Sequence, residues 1–152
     1  MTNAPQQNVG FSMERVYLKD ASYEAPNVPH MFLEQKAPEI NIHLEVSHQK
    51  LEGDGGYYEV VLAITANAKT DDKTVFLVEV QQAGLFVLQG IADDEMLKVL
   101  EIACSTILLP FAREVINDFV GKGGFPQLLI NPVNFEALYQ QKHAKVDKTV
   151  KH

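Results

Sequence analysis

The sequence predicts an α+β fold in which a four-stranded antiparallel sheet is followed by a long kinked helix and a short C-terminal helix. Three features predict it: a period of two through the first half of the chain, steps of three and four after Gly90, and an Asn131-Pro132 pair that opens a last helical segment. A chain of 152 residues lies within the size of one domain and can bury a core without disulfide or metal support. Its 46% hydrophobic and 22% charged content excludes disordered, collagen-like and low-complexity classes.

From Phe11 to Lys19 apolar and polar residues alternate weakly, as in a strand. Asp20 to Pro38 holds Pro26, Pro29 and Pro38, too much proline for a helix or a central strand, and reads as a long crossover. Ile40, Ile42, Leu44 and Val46 then alternate with Asn41, His43, Glu45 and Ser47, giving the second strand one apolar and one wet face. Gly53, Asp54, Gly55 and Gly56 supply the positive-φ positions of a reversal, and Tyr57 to Ala66 returns as the other arm of a hairpin. After a polar turn from Lys69 to Lys73, Thr74 to Val80 resumes the period. Phe76, Val78 and Val80 fall on one side, and Val75, Leu77 and Glu79 on the other.

Beyond Gly90, Leu97, Leu100, Cys104, Leu108, Phe111, Val115 and Phe119 make one helical stripe, and Val99, Ala103, Ile107, Ala112 and Ile116 a second beside it. A helix apolar on two sides needs two partners. The sheet supplies one and another subunit the other, so an oligomer is expected. Asp93, Asp94 and Glu95 suit the start of the helix dipole, Pro110 should kink or split the helix, and Gly121 to Gly124 should end it. Asn131 and Pro132 have the character of an N-cap and first helical residue for a short helix through Phe135, Leu138 and Tyr139.

With 13 Lys and Arg against 20 acidic residues, a net charge of -7 repels nucleic-acid phosphates and anionic lipid and steers basic partners to the surface. The single Cys104 cannot bridge internally and sits on an apolar stripe, where a desolvated thiol stays protonated, so a reducing compartment and a packing role are expected. Met1 to Gly10 is polar, without the basic and apolar runs of a signal peptide, and Thr106 to Ala112 is too short to span a membrane, so the expected location is cytoplasmic. Gly121-Lys122-Gly123-Gly124 lacks the spacer, the hydroxyl residue and the preceding strand of a phosphate loop, and reads as a helix stop. His43 and His48 point to opposite faces of one strand and cannot share a metal. No spacing marks an acid–base pair or an activated nucleophile, so no catalytic residue, metal ligand or cofactor is expected.

Several segments carry a family likeness. VYLKDASYEAPN (Val16 to Asn27), YEVVL (Tyr58 to Leu62), FLVEVQQAG (Phe76 to Gly84), LPFARE (Leu109 to Glu114), GFPQL (Gly124 to Leu128) and PVNF (Pro132 to Phe135) occur in order. With their flanks they run from about Met13 to Tyr139 and resemble the SecB family of protein-export chaperones. The resemblance implies four antiparallel strands with two helices, assembled as a dimer of dimers, and no enzymatic activity. It also implies unfolded secretory precursors as clients and, as partner, the SecA translocase ATPase, whose basic, zinc-holding C-terminal tail docks on an acidic sheet surface.

Carried over by position, the docking surface is Asp20, Ser22, Glu24, Leu77 and Glu79. The client groove is Ile40, Ile42, Leu44 and Tyr139, and Val78, Val80 and Gln82 match strand positions of subunit packing or client binding. On these expectations residues 1–10 form a flexible tail, 11–139 the chaperone domain and 140–152 a polar tail. Two departures stand out: Gln140-Gln141-Lys142-His143 is more polar than the apolar last turn of the family, and Lys145 to His152 is basic where familiar members are acidic. A SecB-like chaperone of another cytosolic client, such as an antitoxin, is the alternative. An enzyme acting on a small molecule between sheet and helix is the third reading.

Overall fold

Four strands, β1 (Gly10–Glu24), β2 (Glu39–Lys50), β3 (Tyr57–Thr70) and β4 (Lys73–Gln89), form one antiparallel sheet in the order β1-β4-β3-β2. The computed structural model describes the backbone of residues 10–150 and the side chains through Ala144, so most of the expected N-terminal tail and the side chains of the basic end lie outside the described residues. α1 (Asp93–Lys98), a π-helical turn (Val99–Ala103) and α2 (Cys104–Lys122) follow as one run, and α3 (Phe135–Val150) ends it.

Two tight reversals join β2, β3 and β4. Asp71 and Asp72 both take positive φ (48° and 65°), the backbone of a type I′ turn that matches strand twist. β1 reaches its place beside β4 through the proline-rich crossover, which Asn27 fastens to the sheet end by donating from Nδ2 to the Thr74 carbonyl (2.9 Å).

β1 is longer than the sequence pattern suggests, and its pairing explains why. Register shifts lie between Met13 and Arg15 and between Leu18 and Asp20. Each extra residue flips the side on which its successors point. Phe11 and Met13, then Val16 and Leu18, then Ala21 and Tyr23 therefore all lie across from even-numbered residues of β4, although their own parity changes twice. A single period of two fails at each bulge. The expected crossover thus starts after Glu24, and Asp20, Ser22 and Glu24 belong to a strand.

The even-numbered residues of β3 and β4 face α2. Leu62, Ile64, Phe76, Val78, Val80 and Phe86 are each no more than 2% exposed there, against Leu108 and Ile116 of the helix. Burial of each such side chain contributes about 1.5–3 kcal/mol. Along the helix the covered residues run Leu100, Cys104, Leu108, Ala112, Ile116 and Val120. Steps of four advance about 40° beyond a full turn each. The contact line therefore winds around the helix and takes residues from both expected stripes, leaving Leu97 and Phe111 39% exposed.

α2 runs unbroken past Pro110. The irregularity comes earlier, in the wide turn at Val99–Ala103, so the expected split at Pro110 is not where the helix departs from regularity. Gly123 and Gly124 close α2, the latter at φ 87°, with Phe125 N–H donating to the Val120 carbonyl. α3 starts one turn later than Asn131-Pro132 suggests: Asn134 is the cap, its Oδ1 accepting from Ala137 N–H at 3.0 Å. The helix also continues beyond Tyr139, to Val150.

Gly84 lies where helix and sheet pack closely. A Cβ there would stand 2.6 Å from the Phe86 ring and 3.1 Å from Leu108 Cδ2. Gly84→Ala should lower stability by about 1–3 kcal/mol, as overpacking does. An unchanged urea midpoint would contradict this contact between β4 and α2.

Candidate functional site

The sheet face turned away from α2 is the first candidate. Directly paired residues present their side chains on the same side. Ser22 pairs with Glu79, Glu24 with Leu77 and Asp20 with Gln81. The register therefore brings Asp20, Ser22, Glu24, Leu77 and Glu79 onto one patch of the open face. Without the second bulge Asp20 would point under the helix. Asp20, Ser22, Glu24 and Glu79 are exposed and Leu77 is half-buried among them. Among the described residues, no cation pairs with Asp20, Glu24 or Glu79.

A fourth carboxylate on that face is held differently. Glu59 accepts from Lys19 Nζ (2.8 Å), Tyr17 Oη (2.5 Å) and Gln49 Nε2 (3.1 Å), which joins residues of both edge strands to β3. Burial pushes its carboxyl up, but these hydrogen bonds and the Lys19 charge more than offset that and hold it below the usual range. Burial, followed by the hydrogen bond and charge of Glu59, pushes the Tyr17 phenol up to about 12. Lys19, the residue inserted by the bulge, thus neutralises Glu59 and leaves the neighbouring acids free.

The second candidate is a cavity of about 1030 Å³ between β2 and α3 that also reaches the open sheet face, where Lys19, Glu59, Ala63 and Gln81 line it. Leu44, Val46, Val61, Phe135, Leu138 and Tyr139 form its apolar lining. Leu44 and Tyr139, from opposite ends of the chain, meet there. Ile40 and Ile42 share the strand side of Leu44 but lie outside the cavity; Ile40 is 40% exposed, and Ile42 packs against the core. At one end, Glu101 is only 5% exposed and accepts from Lys142 Nζ at 3.0 Å. Its other oxygen lies 3.2 Å from His143 Nε2. Here too burial alone would raise the carboxyl, but the hydrogen bonds and charges of Lys142 and His143 outweigh it and keep it ionised below its ordinary range.

Val78, Val80 and Gln82 sit under α2, at 0%, 1% and 3% exposure, inside the core of the single chain. Gln82 donates from Nε2 to the Tyr17 carbonyl at 3.0 Å, tying β4 to β1 across the sheet. Cys104 is fully buried, and desolvation lifts its thiol to about 12, which removes it as a nucleophile. Among the described residues no group of three or more His, Cys, Asp or Glu could hold a metal ion, and no helix is long and apolar enough to cross a membrane.

The sequence reading missed both buried carboxylates. Each left a trace: Glu101 interrupts the apolar run between Leu100 and Ile102, and Glu59 the run from Tyr57 to Leu62. A charge inside an apolar run asks for a partner, and the lysines that pair with these two lie 40 or more residues away in sequence.

Comparison with known proteins agrees with this architecture. Residues 4–146 match the family model described as preprotein translocase subunit SecB. Relatives described as protein-export protein SecB include one from Acidithiobacillus ferrooxidans, 48% identical over 90% of this chain and 91% of its own. One from Nitrosospira multiformis is 46% identical over 98% and 92%. Among solved structures, a Mycobacterium tuberculosis SecB-like chaperone in complex with a peptide from the HigA1 antitoxin superposes with a TM-score of 0.63, covering 81% of this chain and 90% of that one. Its 14% identity speaks for the fold alone. A match over nearly the whole chain, with relatives at this identity, settles the family: the chain belongs to the SecB family of protein-export chaperones.

Proposed function

We propose that this export chaperone is a cytoplasmic holdase that binds unfolded secretory precursors along the cavity beside β2 and delivers them to the SecA translocase ATPase from the acidic patch of Asp20, Glu24 and Glu79 on the open sheet face. The β1–β4 register carries the reading, because it gathers Asp20, Glu24 and Glu79 on one patch of the open face, and none of the three lines the cavity between β2 and α3. Residues 11–139 hold both surfaces and are the proposed chaperone domain. No step here calls for covalent chemistry.

Leu44 and Tyr139, flanked by Ile40 and Ile42, would take apolar segments of a client. Such burial is non-directional, at about 25 cal/mol per Å², so each contact tolerates many sequences and an extended client gains affinity by engaging several sites. Asp20, Glu24 and Glu79 would attract the basic, zinc-holding tail of the motor, with Ser22 as a polar neighbour and Leu77 as an apolar anchor. Exposed charges of this kind are screened over roughly 8–10 Å at physiological ionic strength, so the complex should weaken with salt.

The assembly is proposed to be a dimer of dimers. Phe11, Met13 and Leu18 lie on the helix side of β1 yet are 44%, 40% and 47% exposed, and Leu97 and Phe111 of the helix are also open. Leu18 borders the same surface hollow as Val115 and Phe119, so strand edge and helix together offer apolar side chains, set among polar ones such as Glu114 and Asp118, to another subunit. Val78, Val80 and Gln82 would act on subunit packing from beneath, by setting where α2 lies. Service to another client, as the antitoxin peptide on the mycobacterial relative suggests, would leave the free acidic patch without a use.

Replacing Leu44 and Tyr139 together by Ser should weaken binding of a reduced, unfolded precursor about tenfold by fluorescence titration, with the circular dichroism unchanged; undiminished affinity would contradict the groove. Glu79→Lys should weaken binding of the motor's tail more than Glu79→Ala and leave client affinity intact. Equal loss of both ligands would show that the two surfaces are not separate. Sedimentation should give a tetramer for the native protein and smaller species for Phe111→Asp, whereas a native monomer at micromolar concentration would sink the proposed assembly.

A further inference from the structure

Phe135, Leu138, Tyr139, Lys142 and His143 recur at the spacing of one helical face, so the face that α3 turns to the body of the protein begins apolar and ends in two basic side chains. Those two side chains converge on Glu101, with Lys142 Nζ at Oε1 and His143 Nε2 at Oε2. His48 of β2 approaches the same Oε2 to 3.9 Å. The carboxylate projects from the wide turn at Val99–Ala103, the element against which α3 chiefly packs. A carboxylate this deeply buried in an apolar helix run costs stability unless it is paired, and here all its partners come from the two walls of the cavity. His143 does more than pair. Its ring packs on the Tyr139 ring one turn earlier, centroids 4.2 Å apart. A continuous path of contacts therefore leads from Glu101 through His143 to the aromatic side chain that lines the cavity beside Leu44.

We propose that Glu101 is a positioning residue of the client groove: by clasping Lys142 and His143 it holds α3 in place as the groove wall and sets Tyr139 for the client. The polar turn after Tyr139 is then the ionic continuation of the face that docks α3. This rests on the groove reading above.

Glu101→Gln keeps size and shape and removes the charge. Hydrogen exchange without client should then speed up about tenfold in α3 and remain unchanged in β3 and β4. Precursor affinity should fall several-fold, and adding Tyr139→Ser should cost little more, since the two act on one contact. Lys142→Met in the Glu101→Gln background should have a smaller effect than it has alone. Unchanged exchange of α3, or equal acceleration throughout the sheet, overturns the clasp. Loosened α3 with full client affinity, in a protein whose Leu44 and Tyr139 replacements do lose client, overturns the link and leaves the groove standing. If those replacements also bind normally, the groove reading fails and this proposal with it.

Discussion

Strand geometry gives each residue only one side of a sheet, and α2 covers one side along β3 and β4. Everything on the central strands that is to meet another molecule must come from the other side or from the margins of the helix. β1 meets this constraint by two bulges. They keep Val16, Leu18, Ala21 and Tyr23 on the covered side and still bring Asp20, Ser22 and Glu24 onto the open one. A regular strand running on from Phe11 and Met13 would turn Val16 and Leu18 to the open face, and one with the first bulge alone would turn Asp20, Ser22 and Glu24 into the core, where unpaired carboxylates are not tolerated.

The acids of the chain are treated in two ways that follow from this arrangement. Glu59 and Glu101 are buried and each is tied to distant elements by cationic and neutral donors. They act within the fold, one stapling the edge strands to β3 and the other joining α3 to the long helix. Asp20, Glu24 and Glu79 are exposed, and among the described residues no cation pairs with them. Charge left uncompensated at the surface is available to a basic partner, whereas charge compensated inside specifies geometry.

Local pattern and distant pairing divide what could be read in advance. The alternation from Ile40 to Ser47, the glycine reversal at Gly53 to Gly56 and the helix stop at Gly121 to Gly124 rest on neighbouring residues, and the structure has each of them. Parity correctly separated Leu77 and Glu79 from Phe76, Val78 and Val80. The bulges in β1 were hidden because an inserted residue looks like lost periodicity. The winding of the helix contact was hidden because it follows the twist of a sheet formed elsewhere in the chain. Asn131-Pro132 misled by one turn because Asn134 offers the same capping chemistry three residues later. The meeting of Leu44 with Tyr139, and of Glu101 with Lys142, depends on tertiary packing, and only the family resemblance pointed to the first.

The central claim is that one sheet face receives the motor while the groove beside β2 and α3 receives the client. Backbone amide shifts of the labelled protein, followed while an unfolded precursor segment and the motor's basic tail are added separately, test it most directly. The account predicts shifts in β2 and α3 with the precursor and in β1 and β4 around Glu24, Leu77 and Glu79 with the tail. Perturbation of one and the same set of residues by both ligands would contradict it.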